Sequence, residues 1–313
     1  MNGLHGPSGR VSGALLMLVT VLAACAALPG TPATALPAAA FDADYLLIGE
    51  VHDNPAQHRL RLRWLESLAA RQRFAIALEQ LDATNQAALD RVRAADAPAA
   101  GSASPQQRAR SLAEAGGFDF RGWRWEYYRP VVEFALQHDL PLVAANFSRA
   151  QTVAVARGGA PADLLPDGWG VAEQQALEAS VRDGHCGLLP ESVIAPMAAA
   201  QRSRDAQLAR AIVDAHRRSG LPVVLLAGNG HLRRDIGVPR YLAKLAPAGR
   251  VFSIGLLEAD GAHGDDGDDD GAGTAQARAR RYDFAALTPS AAREDPCEAL
   301  RAKMRHRPAF APQ

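Results

Sequence analysis

Five apolar runs of strand length, at 44–49, 74–79, 140–146, 222–229 and 250–257, punctuate the chain. Each is nearly continuous rather than alternating, the pattern of strands covered on both faces in a parallel sheet. Amphipathic stretches lie between them. Asn54 and Pro55 mark a helix start, because an Asn side chain caps free amides and Pro suits the first turn. Leu60, Trp64, Leu65 and Leu68 then fall on one face. The spacing predicts further helices at 81–92, 123–138 and 192–216, and another over "GVPRYLAKLAP" at 237–247. Strand and helix in alternation predict an α/β fold, with a mostly parallel sheet flanked by helices. The small residues of 97–107 read as a loop, and 168–189 as a helical cap insertion.

The polar residues that finish these runs point to chemistry. The first run ends in "GEVH", delivering Glu50 and His52, and the second ends in Glu79. Asn146 ends the third, with Arg149 three residues on, and the fourth ends in "GNGH", with Asn229 and His231. Open parallel sheets bind ligands beyond the carboxyl ends of their strands, so these groups converge on one candidate site. Taken singly, each also has a structural reading: a bonded strand-end His, a capping Glu79, a turn closed by Asn146 and Arg149. On the helix at 192–216, Met197, Gln201, Asp205, Leu208 and Ile212 share a face. Gln201 and Asp205, with Arg204 adjacent, either enter the same cleft or pair at its rim. His52, His231, Glu50 and Glu79 together suit a divalent metal with an open position and a polarised water. Without metal they form a catalytic acid–base set, with Glu50 or Glu79 as base and a His as acid. No phosphate-cradling glycine loop, serine elbow or Cys-x-x-Cys pair is present.

Composition sets the partners. The 313 residues carry no net charge at neutral pH, and the isoelectric point is about 7.1, which gives no electrostatic reason for a nucleic-acid partner. Arg10 precedes an apolar stretch at 11–24 and then Cys25, the layout of a bacterial export signal and too short for a comfortable membrane span. "LAAC" resembles a lipobox. Residues 1–24 are then a lipoprotein signal peptide and Cys25 the lipidated N-terminus, the alternative being an ordinary secretory cut near 38–40. Ala26 resembles the outer-membrane sorting class. The expected location is therefore the outer membrane of a Gram-negative envelope, facing the periplasm, held by several acyl chains on one cysteine. Residues 25–42 read as a flexible Pro/Ala tether and 43–313 as one domain. Within 257–281, "GDDGDDDGAG" lacks the spacing of a calcium loop and reads as an exposed hairpin loop. In an oxidising compartment Cys186 and Cys297 are disulfide candidates, two separate buried thiols being the alternative.

Seven segments, "GEVHDNPAQHRL", "ALEQLD", "YYRPVVEFA", "AANFSR", "HCGLLPE", "AAAQRSRDAQLARAI" and "VLLAGNGHLRRDIGVPRYL", together resemble the ChaN-like haem-binding lipoprotein family. The resemblance spans about 45–257. The family is similar in fold to the erythromycin esterases and to TIKI/TraB-type proteins, some of which resemble metalloproteases with two Gly-x-x-His motifs and a glutamate. It implies a lipid-anchored protein of haem and iron uptake, with haem as ligand and a homodimer as one way of holding it. Iron ligation by Tyr or His is chemically reasonable. Tyr128 sits in the matching "YYRPVV" and, with His58, is a candidate ligand; His185 is another. Arg59 and Arg63, one helical turn apart, either pair with propionates or form a solvated face. Family members often carry a tyrosine shortly after the Asn-x-x-Arg segment, whereas this chain reads "RAQTVAV" there. Haem binding is the expected function, with a metal-dependent or esterase-like hydrolase at the strand ends as the alternative.

Overall fold

The apolar runs pair into a sheet that is parallel throughout. The computed structural model describes residues 35–95, 104–158, 165–259 and 275–305. The signal segment, Cys25, most of the tether and the acidic run lie outside the described residues. The strands are β1 (Tyr45–Ile48), β2 (Ala75–Asp82), β3 (Leu142–Asn146), β4 (Val223–Leu226), β5 (Val251–Glu258) and β6 (Phe284–Thr288). The helices between them are α1 (Pro55–Ala69), α2 (Gln86–Ala95), α3 (Pro105–Ala115), α4 (Trp125–Gln137), α5 (Arg149–Ala156), α6 (Val171–Asp183), α7 (Glu191–Ser219), α8 (Val238–Leu245), α9 (Ala275–Ala279) and α10 (Pro296–Arg305).

The strand order is β3-β2-β4-β1-β5-β6: from β1 the chain steps across the sheet to β2 and β3, then reverses and runs through β4, β5 and β6. Crossovers between parallel strands keep one hand, so reversing direction moves the helices to the other face. The core shows this. Leu46, Ile48, Ile76 and Leu78 pack with Trp64, Leu112 and Val131 from the earlier helices. The alternate strand residues Leu47, Ala77 and Val143 pack with Leu208, Ile212 and Leu242 from α7 and α8. A third, smaller cluster joins Leu177 and Val181 of α6 to Ile194 and Ala198 of α7, confirming a helical cap at 168–189.

Four details depart from the sequence reading or complete it. β2 runs on to Asp82, so the helix expected from 81 begins at Gln86. Part of the expected loop at 97–107 is helix α3, started by a capping box in which Ser104 and Gln107 bond each other's backbone. A sixth strand stands at the edge of the sheet. It pairs parallel to β5, Ile254 beside Phe284 and Glu258 beside Thr288, so the link bearing the acidic run is a crossover and not a hairpin. The expected bridge is present, Cys186 to Cys297, with the two Cα atoms 5.6 Å apart.

Gly49 follows β1 and sets where the sheet opens. The Asn229 side chain lies across it and exchanges two bonds with the backbone of Leu256 in β5, at 2.7 and 2.9 Å. A Cβ on Gly49 would collide with Asn229 Oδ1 and approach the Ile254 carbonyl. Gly49→Ala is expected to lower unfolding free energy by about 1–3 kcal/mol, the usual cost of overpacking, measured by urea denaturation.

Candidate functional site

Two polar hubs occupy the region beyond β1 and β4. Glu50 centres the first and is fully buried. Its carboxylate pairs with the buried Arg61 guanidinium of α1, accepts the Tyr128 hydroxyl at 2.5 Å, and takes a bond from His52 Nδ1 at 2.7 Å. Arg61 donates onward to His58 Nδ1 at 2.7 Å, and His58 Nε2–H donates to the His52 carbonyl at 2.8 Å. Burial pushes His58 down to about 4, so it is neutral. Burial also lowers Arg61, to about 10, which leaves it cationic at neutral pH. These bonds fix the conformation of the "GEVH" segment from below.

His231 centres the second hub. Its Nδ1 bonds Asp205 of α7 at 2.5 Å, and its Nε2 lies 3.3 Å from Glu79. Burial alone would lower its pKa, but the fields of Glu79 and Asp205 outweigh that and lift it to about 9. Glu79 also pairs with Arg204 and accepts the Gly228 amide at 2.8 Å. Burial opposes its ionisation, yet His231 and Arg204 hold it well below the usual carboxylate range. The Asp205 carboxyl is pushed up by burial, against the pull of His231 and Arg204. Gln201 rests its amide 3.0 Å from His231 Nδ1.

Between the hubs and the cap lies a cleft of about 450 Å3. His52, Glu79, Arg204 and His231 form its polar floor, while Leu177, Val181, Met197 and Ile236 provide apolar wall. Trp123 lines it too, with its ring edge-on to His52 at 4.7 Å. α5 contributes Thr152, Val153 and Ala156.

The structure sorts the expected residues. His52, Glu79, Gln201 and His231 line the cleft, and Asp205 stands behind His231. Glu79 lies inside β2 rather than at its end, but β4 stops at Leu226, opposite Leu78, which leaves Glu79 just past the last paired residue. Glu50 is turned away from the cleft, beneath His52. Tyr128 is 1 % exposed and bonded to Glu50, and His58 is buried and bonded at both nitrogens, so neither offers a ligand to the cleft. Asn146 bonds the Phe147 amide and receives Arg204 Nε at 3.4 Å. Asn229 is a sheet stitch. Arg149 is exposed on the outer side of α5, and Arg59 and Arg63 are exposed on α1. The four proposed metal ligands do not fit a divalent ion in this arrangement, because each glutamate is paired with a guanidinium and the two histidines belong to different hubs. Among the described residues no three His, Cys, Asp or Glu groups are placed to hold a metal. Arg61, Arg204 and Trp123 are the parts of the site that the sequence reading left out or left undecided. Arg61 had a signal: with Gln57, Trp64, Leu65 and Leu68 it falls on the buried stripe of α1.

The family model described as haem-binding uptake, Tiki superfamily, ChaN, matches residues 36–242. The chain belongs to this family. Among solved structures, this ChaN-like chain is similar to ChaN of Campylobacter jejuni, solved with cofacial heme binding, at 22 % identity and a TM-score of 0.59, covering 69 % of this chain and 82 % of that one. That likeness shows a shared fold. A mutant erythromycin esterase, EreC in its open conformation, aligns at 13 % identity and a TM-score of 0.41, over 69 % of this chain and 70 % of that one. No curated protein matches the chain.

The second hub makes stability depend on alkaline pH. The folded-state pKa of His231 lies above its usual 6.5, so the charged ring stabilises the fold fully below about pH 6.5, and that contribution disappears as pH rises through 9. A shift of this size is worth up to about 3 kcal/mol. Thermal unfolding followed from pH 7 to pH 10 is expected to show this loss, and His231→Gln is expected to be less stable at pH 7 but flatter across the window.

Proposed function

We propose that this ChaN-like chain binds haem in the cleft beyond β1 and β4 and serves haem uptake from a lipid anchor. The observation that carries the reading is a cleft with an apolar wall and free cations beside it, in a chain of a haem-binding family. Haem is a flat apolar ring with two carboxylates at one edge. Leu177, Val181, Met197 and Ile236 suit the ring. Arg149 and Arg157 suit the carboxylates: both are exposed on α5 or at its end and have no ion-pair partner among the described residues. They line a shallow groove that meets the cleft at Val153. When bound, haem supplies an iron able to take axial ligands. In this reading the chain's own groups bind and orient the ring, and the paired charges of the floor stay fixed beneath it. ChaN of Campylobacter jejuni binds heme cofacially, and Val153, 40 % exposed at the cleft rim, fits a second copy closing over the ligand. The lipobox at Cys25 supports an anchor in the outer membrane, facing the periplasm.

A haemin titration of the full chain, followed in the Soret region, is expected to give a saturable band shift. Replacing Arg149 and Arg157 together by Glu is expected to weaken binding by about tenfold, the equivalent of one lost charge-assisted hydrogen bond. Binding that never saturates would sink the reading.

A second reading rests on His231 alone. Protonated at neutral pH and facing the cleft, it can act as a general acid toward a leaving oxygen. Its companion carboxylates are already paired, so neither Glu50 nor Glu79 is a free base. In this reading the chain hydrolyses small esters, and His231→Gln abolishes turnover. Finding no turnover across an ester panel would end it.

A further inference from the structure

The geometry points to His185 as the residue that ligates the iron of a bound haem, through Nε2. This rests on the haem reading and adds the ligand. No tyrosine lines the cleft. Of the chain's five, Tyr45, Tyr128, Tyr241 and Tyr282 are buried elsewhere, and Tyr127 is stacked on His58. Helix α5, which follows the Asn-x-x-Arg segment, presents Thr152, Val153 and Ala156 to the cleft, and none of them is an iron ligand. The donors left are imidazoles and Met197.

Three histidines line the cleft: His52, His185 and His231. His231 is cationic and held by two carboxylates, so it has no lone pair to give. His52 is also bonded through Nδ1, but to Glu50, and its ring is packed edge-on against Trp123 within that hub. His185 stands outside both hubs. Its Nδ1–H donates to the Val181 carbonyl at 2.8 Å, one turn back along α6. That bond puts the proton on Nδ1 and leaves the lone pair on Nε2, the arrangement by which metal-binding histidines are oriented and made more basic. His185 Nε2 has no hydrogen-bond partner among the described residues. The ring lines the cleft together with Leu177 and Val181 of α6. An imidazole there can meet the iron without breaking an existing ion pair.

The segment that carries His185 is held in place. It leaves α6 through a turn in which the Cys186 amide bonds the Asp183 carbonyl and the Gly187 amide bonds the Arg182 carbonyl, both at 2.8 Å. Cys186 and Gly187 adopt left-handed backbone, with φ of +58° and +63°. The very next side chain after His185 is bridged to Cys297 of α10, across 111 residues of sequence. His185 therefore sits between a helix end and a covalent tie.

The test uses the full chain loaded with haemin and reduced. Resonance Raman of the wild type is expected to show an iron–histidine stretch. His185→Gly is expected to remove that band and weaken haemin binding by about tenfold or more, since even outer-shell losses cost that much at metal sites. Added imidazole is expected to restore the band. His185→Tyr keeps a ring in place and is expected to convert the ferric spectrum to a phenolate type; circular dichroism checks that each variant is folded. If the band survives in His185→Gly and disappears in His52→Ala, the ligand is His52 and the proposal falls while haem binding stands. Saturable binding with no iron–histidine band in the wild type has the same consequence. If the wild type shows no saturable binding, the haem reading fails first and takes this proposal with it.

Discussion

Everything at the cleft follows from one constraint, the fixed hand of crossovers between parallel strands. The chain leaves β1 toward one edge of the sheet and leaves β4 toward the other. With the hand fixed, these two connections must depart over opposite faces, and the neighbouring strands β1 and β4 part company at their carboxyl ends. A crevice is unavoidable there. The two Gly-x-x-His segments, "GEVH" and "GNGH", are the two lips of that crevice. Gly49 lets Asn229 cross from one lip and bond β5, so the lips are stitched at their base. The opening begins one residue further out.

Burying ions beside such a crevice is costly, and desolvation often outweighs the attraction within a buried pair. Here each carboxylate has more than a partner charge. Glu50 is met by Arg61, Tyr128 and His52, while Glu79 is met by Arg204, His231 and a backbone amide. Several partners on each carboxylate fix its position, although the buried Arg61 Nε bonds nothing among the described residues. The arrangement also sets charges of opposite sign against one another, Glu79 against Arg204 and His231. In the proposed haem reading, a fixed floor of paired charges beside an apolar wall suits a large flat ligand, and the carboxylate edge is left to exposed groups such as Arg149 and Arg157.

The strands and their polar ends were legible because a buried strand that stops in Glu, Asn or His breaks a strong apolar pattern. What escaped did so for physical reasons. β6 is an edge strand with only partial burial, so it lacks the continuous apolar run that marked the others. Arg61 occupies an apolar stripe, but a lone arginine in a basic helix reads as solvated until its carboxylate is known to sit beneath it. Asn229 has the same side chain whether it binds a ligand or stitches a sheet. Only its pairing with Leu256, 27 residues on, decides between them. Tyr128 carried a motif, and its burial against Glu50 gives that motif a structural meaning. In each case the missing information was the identity of a partner distant in sequence.

The cap shows how compartment and site are linked. The floor of the cleft is built on the sheet, whose two faces are covered by extensive apolar clusters. The cap's own cluster is small, five buried residues with a few partly buried neighbours. A unit with so little apolar burial gains most from a cross-link, which acts chiefly by restricting the unfolded chain and does more for longer loops. The Cys186–Cys297 bridge closes a long loop and joins the end of α6 to α10. Such bridges persist where thiols are oxidised. A wall that carries His185 is thus held in place by a bond that export would supply and a reducing compartment would withhold.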